Sequence, residues 1–162
     1  MNRREFLKKS LEGIIIGVPL LCNCEKNPIK YSIPIDFETI GKGPVSTIKE
    51  KKSFVINNSI EWNKMYKEAF EELFSPPMGL ADVPNTNFSK YTILAVYMGE
   101  CPTSDYETNI SDITESNNAI SVKVSEKTPQ ESVYHLPTQP YHIVKTTKLK
   151  KQVIFESYLD EK

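Results

Sequence analysis

Apolar positions recur along this chain with two different periods. Trp62, Met65, Tyr66, Ala69, Phe70, Leu73 and Phe74 follow one another at helical spacing, which gathers their side chains on one broad stripe of a helix. Asn58 stands as N-cap with Glu61 three residues on, the reciprocal arrangement that satisfies free amides at a helix start. Ser75-Pro76-Pro77 predicts the stop, because proline cannot continue the hydrogen-bond ladder. The remaining pattern is that of strands. Phe54-Val55-Ile56 precedes the helix, and Tyr91 to Met98 is a continuous apolar run bounded by Gly99 and Pro102, which predicts a central strand buried on both faces. Tyr106 to Ile113 and Ala119 to Ser125 flank the turn composition Ser116-Asn117-Asn118 and predict a hairpin. Tyr141 to Thr146 and Gln152 to Tyr158 flank a basic connection and predict a second one. One amphipathic helix before five or more antiparallel strands, with no strand–helix–strand alternation, argues for an α+β fold, mainly antiparallel β in a sandwich-like sheet.

The first residues follow a different logic. Asn2-Arg3-Arg4-Glu5-Phe6-Leu7-Lys8 is similar to a twin-arginine export signal, and the apolar stretch Ile14 to Leu21 is too short to span a bilayer, which needs about 20 apolar residues. Leu21-Cys22-Asn23-Cys24 looks like a bacterial lipobox. Residues 1–23 are therefore expected to be a signal peptide, with Cys24 the lipidated residue and Cys22 the alternative. Residues 24–52, which hold Pro28, Pro34, Pro44, Gly41 and Gly43, are expected to be a tether followed by short extended segments; Ile33, Ile35 and Phe37 alternate as an early strand would. Residues 53–162 are the expected globular domain. The protein is accordingly expected in a bacterial cell envelope, outside the cytoplasm and held to a membrane.

Composition narrows the function. The 162 residues carry 20 Lys+Arg against 21 Asp+Glu, a formal charge of -1, and loss of residues 1–23 removes Arg3, Arg4, Lys8 and Lys9 against Glu5 and Glu12. Such balance argues against nucleic acid as a partner. Once Cys24 is acylated, Cys101 is the one thiol left of the three cysteines, so no intramolecular disulfide is expected. His135 and His142 are the two imidazoles, and no Cys or carboxylate cluster stands at metal-ligand spacing around them, so neither a metal nor a cofactor is expected. His142 shares a strand face with Val144 and reads as a packed or hydrogen-bonded structural residue rather than a base. There is no Gly-x-Ser-x-Gly elbow, Cys101 lacks a thiol-protease signature, and Gly41-Lys42-Gly43-Pro44 lacks the spacing of a phosphate loop. No enzyme is expected. Lys145, Lys148, Lys150 and Lys151 read as solvated, although a basic strand connection also suits anionic headgroups.

Two loops stand out instead. Gly99-Glu100-Cys101-Pro102-Thr103-Ser104-Asp105-Tyr106 follows the buried strand, and Thr138-Gln139-Pro140-Tyr141-His142 opens a later one. A loop stiffened by proline and anchored by an aromatic ring presents its residues at low ordering cost, which suits protein recognition. Pro102, Thr103, Tyr106, Pro140, Tyr141 and His142 are the expected contact residues.

At these loops the chain resembles the protease complex subunit PrcB family, through Phe88-Ser89-Lys90, the strand Tyr91 to Met98, Gly99 to Tyr106 and Pro140 to Lys145, over about Trp62 to Phe155. Ser104-Asp105 stands where that family has two glycines. The resemblance implies a lipoprotein that binds and stabilises a surface protease without cleaving anything itself. A weaker similarity joins Pro102 to Tyr106 and Gln139 to Tyr141 to the loops of chagasin-like cysteine-protease inhibitors, so inhibition is the alternative function.

Overall fold

The chain forms nine elements in a computed structural model that describes residues 32–70, 73, 83–129 and 136–160. They are β1 (Ile33–Pro34), β2 (Phe37–Gly43), β3 (Lys52–Ile56), α1 (Ser59–Phe70), β4 (Tyr91–Tyr97), β5 (Glu107–Glu115), β6 (Ala119–Lys127), β7 (Tyr141–Thr147) and β8 (Gln152–Leu159). The export signal, Cys22, Cys24, the helix stop at Ser75-Pro76-Pro77 and His135 lie outside the described residues.

The strands build two four-stranded sheets, ordered β1-β5-β6-β8 and β2-β7-β4-β3. The predicted α+β fold, rich in antiparallel strands with one helix, is what forms. Sheet contact is explained by β4. Its alternate residues Leu94 and Val96, with Val144 beside them on β7, face the other sheet, where they meet Ile110, Ile113, Ile120, Val122 and Val124. Ile93, Ala95 and Tyr97 face the opposite way and meet Trp62, Met65, Ala69 and Phe70 of α1. Burial on both sides is why the run is continuously apolar, and each such large side chain contributes about 1.5–3 kcal/mol. The result is three layers: helix, inner sheet, outer sheet.

Local chemistry holds the helix where the pattern placed it. Asn58 Oδ1 accepts the Glu61 amide at 2.9 Å, Trp62 Nε1 donates to Pro84 O at 2.8 Å, and the Tyr97 hydroxyl donates to Met65 Sδ at 2.8 Å. Ile33, Ile35 and Phe37 do enter the sheets: β1 pairs with Glu115 and Thr114 of β5, the Ile35 amide donates to Ile113 O at 2.8 Å, and β2 pairs along β7. The sheets thus begin ahead of residue 53.

The first predicted hairpin forms as β5 and β6, with Ser116 closing the turn on Ala119. The second does not form. β7 pairs antiparallel with β2 on one side and β4 on the other, whereas β8 lies in the other sheet, parallel to β6. The reason is edge occupancy: β7 is buried on both faces and both of its hydrogen-bonding edges are taken, so β8 has no edge there to join. The connection crosses between sheets instead, burying Leu149, whose amide donates to Thr92 Oγ1 at 3.2 Å. Val153 and Phe155 then pack into the inter-sheet core from β8.

Candidate functional site

Three connections meet at one end of the sandwich: residues 44–51 between β2 and β3, residues 98–106 between β4 and β5, and residues 136–140 leading into β7. They are tied by backbone bonds. Cys101 and Thr138 exchange both amide bonds, at 2.7 and 2.9 Å, the Met98 amide donates to Pro140 O at 2.9 Å, the Gln139 amide to Pro44 O at 2.9 Å, and the Glu100 amide to Lys49 O at 3.0 Å. Gly99 makes this junction possible. Its φ is +84°, and a Cβ there would lie 2.9 Å from both Lys49 O and Lys51 N, so both backbone conformation and close approach demand glycine.

The six expected contact residues divide by exposure. Pro102 is exposed and Tyr106 half-buried, while Thr103, Pro140 and His142 are buried. Thr138 Oγ1 donates to Thr103 O at 2.7 Å, so Thr103 serves the junction through its backbone; its own buried hydroxyl has no hydrogen-bond partner. Between the loops lies an open pocket of ≈ 260 Å³, to which Tyr106 and Pro140 contribute along with Lys42, Gly43, Pro44 and Ser104. The contribution of β2 was not anticipated from sequence.

Tyr141 belongs to a different neighbourhood. Its ring stacks on Tyr97 at 6.1 Å and meets Phe70 edge-on at 4.9 Å. Gly41 and Gly43, which share one face of β2, leave room for it: a Cβ on Gly43 would approach the ring to 3.2 Å. The ring lines a crevice of ≈ 90 Å³ with Trp62, Tyr66 and Pro84. Two glycines with one residue between them in a strand were the readable sign of a neighbouring aromatic ring.

His142 is 2% exposed and spans the sheets. The Ile110 amide donates to Nδ1 at 2.8 Å, beside the β5 bulge, and Nε2 lies 2.8 Å from Thr39 Oγ1. Because Nδ1 accepts, the hydrogen sits on Nε2 and is donated to Thr39. Burial first, and the Lys42 charge second, hold the imidazole pKa down at about 4, so it stays neutral and both ring nitrogens are engaged. That is the structural role expected of it. Cys101 is also buried, and desolvation, with Glu126 adding to it, pushes its thiol up, the opposite of what a nucleophile needs. Among the described residues no group of three or more His, Cys, Asp or Glu is placed to hold a metal ion, and no helix is long and apolar enough to cross a membrane.

The geometry therefore defines a β-rich domain with interlocked loops at one end. Residues 92–147, from β4 to the end of β7, match the family model described as PrcB C-terminal. Over that span the chain is similar to the PrcB C-terminal family, and the matched span is narrower than the Trp62 to Phe155 of the sequence resemblance. No curated protein and no solved structure matches the chain.

Proposed function

We propose that this protein is an exported, lipid-anchored accessory subunit that holds a protease through the interlocked loop end and performs no catalysis itself. The observation that carries this reading is the junction itself. Loops from three separate connections are cross-bonded through Cys101–Thr138, Met98–Pro140 and Gln139–Pro44 around an open pocket, so the surface is preorganised and little ordering entropy is lost on binding. The similarity of residues 92–147 to the PrcB C-terminal family supports a protease as the class of partner. Pro102 and Tyr106 make the contact, while Thr103, Pro140 and His142 hold the loops in place. A partner bound only when folded gains stability of RT ln(1 + [L]/Kd), about 2.7 kcal/mol at a hundredfold excess over Kd.

The test is co-purification from native membranes, comparing wild type with the double variant Pro102→Ala/Tyr106→Ala. Loss of a protease from the variant, with its thermal unfolding unchanged, supports the proposal; retention of the same partner in the same amount discards this surface. Mass spectrometry of the mature N-terminus tests the anchor, with an acylated Cys24 expected.

The inhibitor reading has one observation in its favour: the loops at 102–106 and 139–141 lie side by side, joined by the Thr138 hydroxyl to Thr103. Titration against papain-like proteases separates the two, since an accessory subunit leaves their activity unchanged at micromolar excess.

A further inference from the structure

The two ends of the sandwich carry different chemistry. Opposite the loop junction lie the turn at 116–118, the segment 83–90 leading into β4 and the crossover at 148–151. Ile33 pairs with Glu115, the last residue of β5, so the chain enters the domain at this end too. Four lysines gather there. The Lys148 amide donates to Lys90 O at 2.8 Å, and Lys151 Nζ donates to Ser116 O at 2.8 Å, which brings Lys90, Lys148, Lys150 and Lys151 onto one tip.

Their charges are unequally balanced. Lys151 is paired with Glu115 at 2.7 Å. Lys148 Nζ donates to Asn57 O and Oδ1, at 3.2 and 3.0 Å, both neutral acceptors. Lys90 and Lys150 are exposed. Among the described residues no carboxylate pairs with Lys90, Lys148 or Lys150; Asp36, just ahead of β2, and Glu61, in the first turn of α1, also lie toward this end. At the loop end, by contrast, Lys51 is paired with Glu126 at 2.6 Å and Lys127 with Glu107 at 3.7 Å.

We propose that this basic end lies against an anionic lipid surface, so that Lys90, Lys148 and Lys150 hold the domain upright with its loop junction turned away from the membrane. The inference rests on the lipid anchor of the proposed function and adds an orientation to it. An anchor alone does not set one. Nine residue steps from Cys24 to Ile33 reach about 30 Å, and the nine residues of β5 are roughly as long, so either end could touch the bilayer. Positive charge at the tip beside the leash breaks that degeneracy, and it acts only within a Debye length, about 8 Å at physiological salt.

Energy transfer tests the proposal on the full mature chain, reconstituted in phosphatidylcholine vesicles with and without phosphatidylglycerol. Dyes on Asn117→Cys and Pro102→Cys report the two ends to a headgroup acceptor. Transfer several-fold stronger from position 117 is expected with phosphatidylglycerol, and the difference should shrink in neutral vesicles, at high salt, or in Lys90→Glu/Lys150→Glu. Equal transfer from both ends on anionic vesicles overturns the orientation, as does a difference that survives the charge reversal. A chain that fails to float with vesicles overturns the anchor as well, which distinguishes failure of the reading from failure of the inference.

Discussion

Acidification should loosen the two sheets through one side chain. His142 Nδ1 can accept the Ile110 amide only while it is unprotonated; a proton there sets donor against donor in a site that is 2% exposed, with Lys42 already unfavourable to positive charge. The pKa is lowered from 6.5 to about 4. Folding therefore favours the neutral ring, so the stabilisation is complete above about pH 6.5 and is lost as pH falls through that window toward 4. At about 1.36 kcal/mol per pH unit, the loss reaches about 3 kcal/mol. Carboxylates titrate in the same range, so the quantity to measure is the difference between wild type and His142→Gln, by urea unfolding at intervals from pH 8 to 4. Wild type should be the more stable at pH 7 and lose that advantage on acidification, while the imidazole NMR signals show no titration near 6.5. A stability difference that is flat across the window, or an imidazole that titrates near its ordinary value, would refute the assigned tautomer and bonding.

Three further outcomes follow from the same geometry. Gly99→Ala forces a Cβ into the backbone of residues 49–51 at positive φ, and should cost about 1–3 kcal/mol in chemical unfolding; a neutral effect would mean that the junction relaxes freely. Thr103→Val removes the buried hydroxyl that lacks a partner, and should leave stability unchanged or raise it by up to about 1 kcal/mol, read as a higher midpoint in urea. Cys101, buried with its thiol pushed up, should react with a disulfide reagent only as fast as the domain opens; rapid labelling in native buffer would contradict that placement.

Much of the architecture was legible because it is written in local periods. The helix from Ser59, capped by Asn58, the buried strand β4 and the β5–β6 hairpin each follow from spacing and turn residues a few positions apart. The candidate site was legible only in part. Its two motifs do lie side by side, but their exposure was hidden: Thr103 and Pro140 read equally well as loop residues facing solvent until the junction buries them.

What residues alone could establish here were faces, since the alternation or helical recurrence of apolar side chains decides which side of each element must leave water. Which element covers that side is a contest among distant segments. β8 had the strand pattern predicted for it, yet β2 and β4 already occupied both edges of β7, and the chain crossed over to lie parallel to β6. The same long-range pairings put Ile110 against His142 and Cys101 against Thr138. Hydrogen-bond partners of this kind are chosen by the whole assembled fold, because each strand has only two edges and every neighbour competes for them.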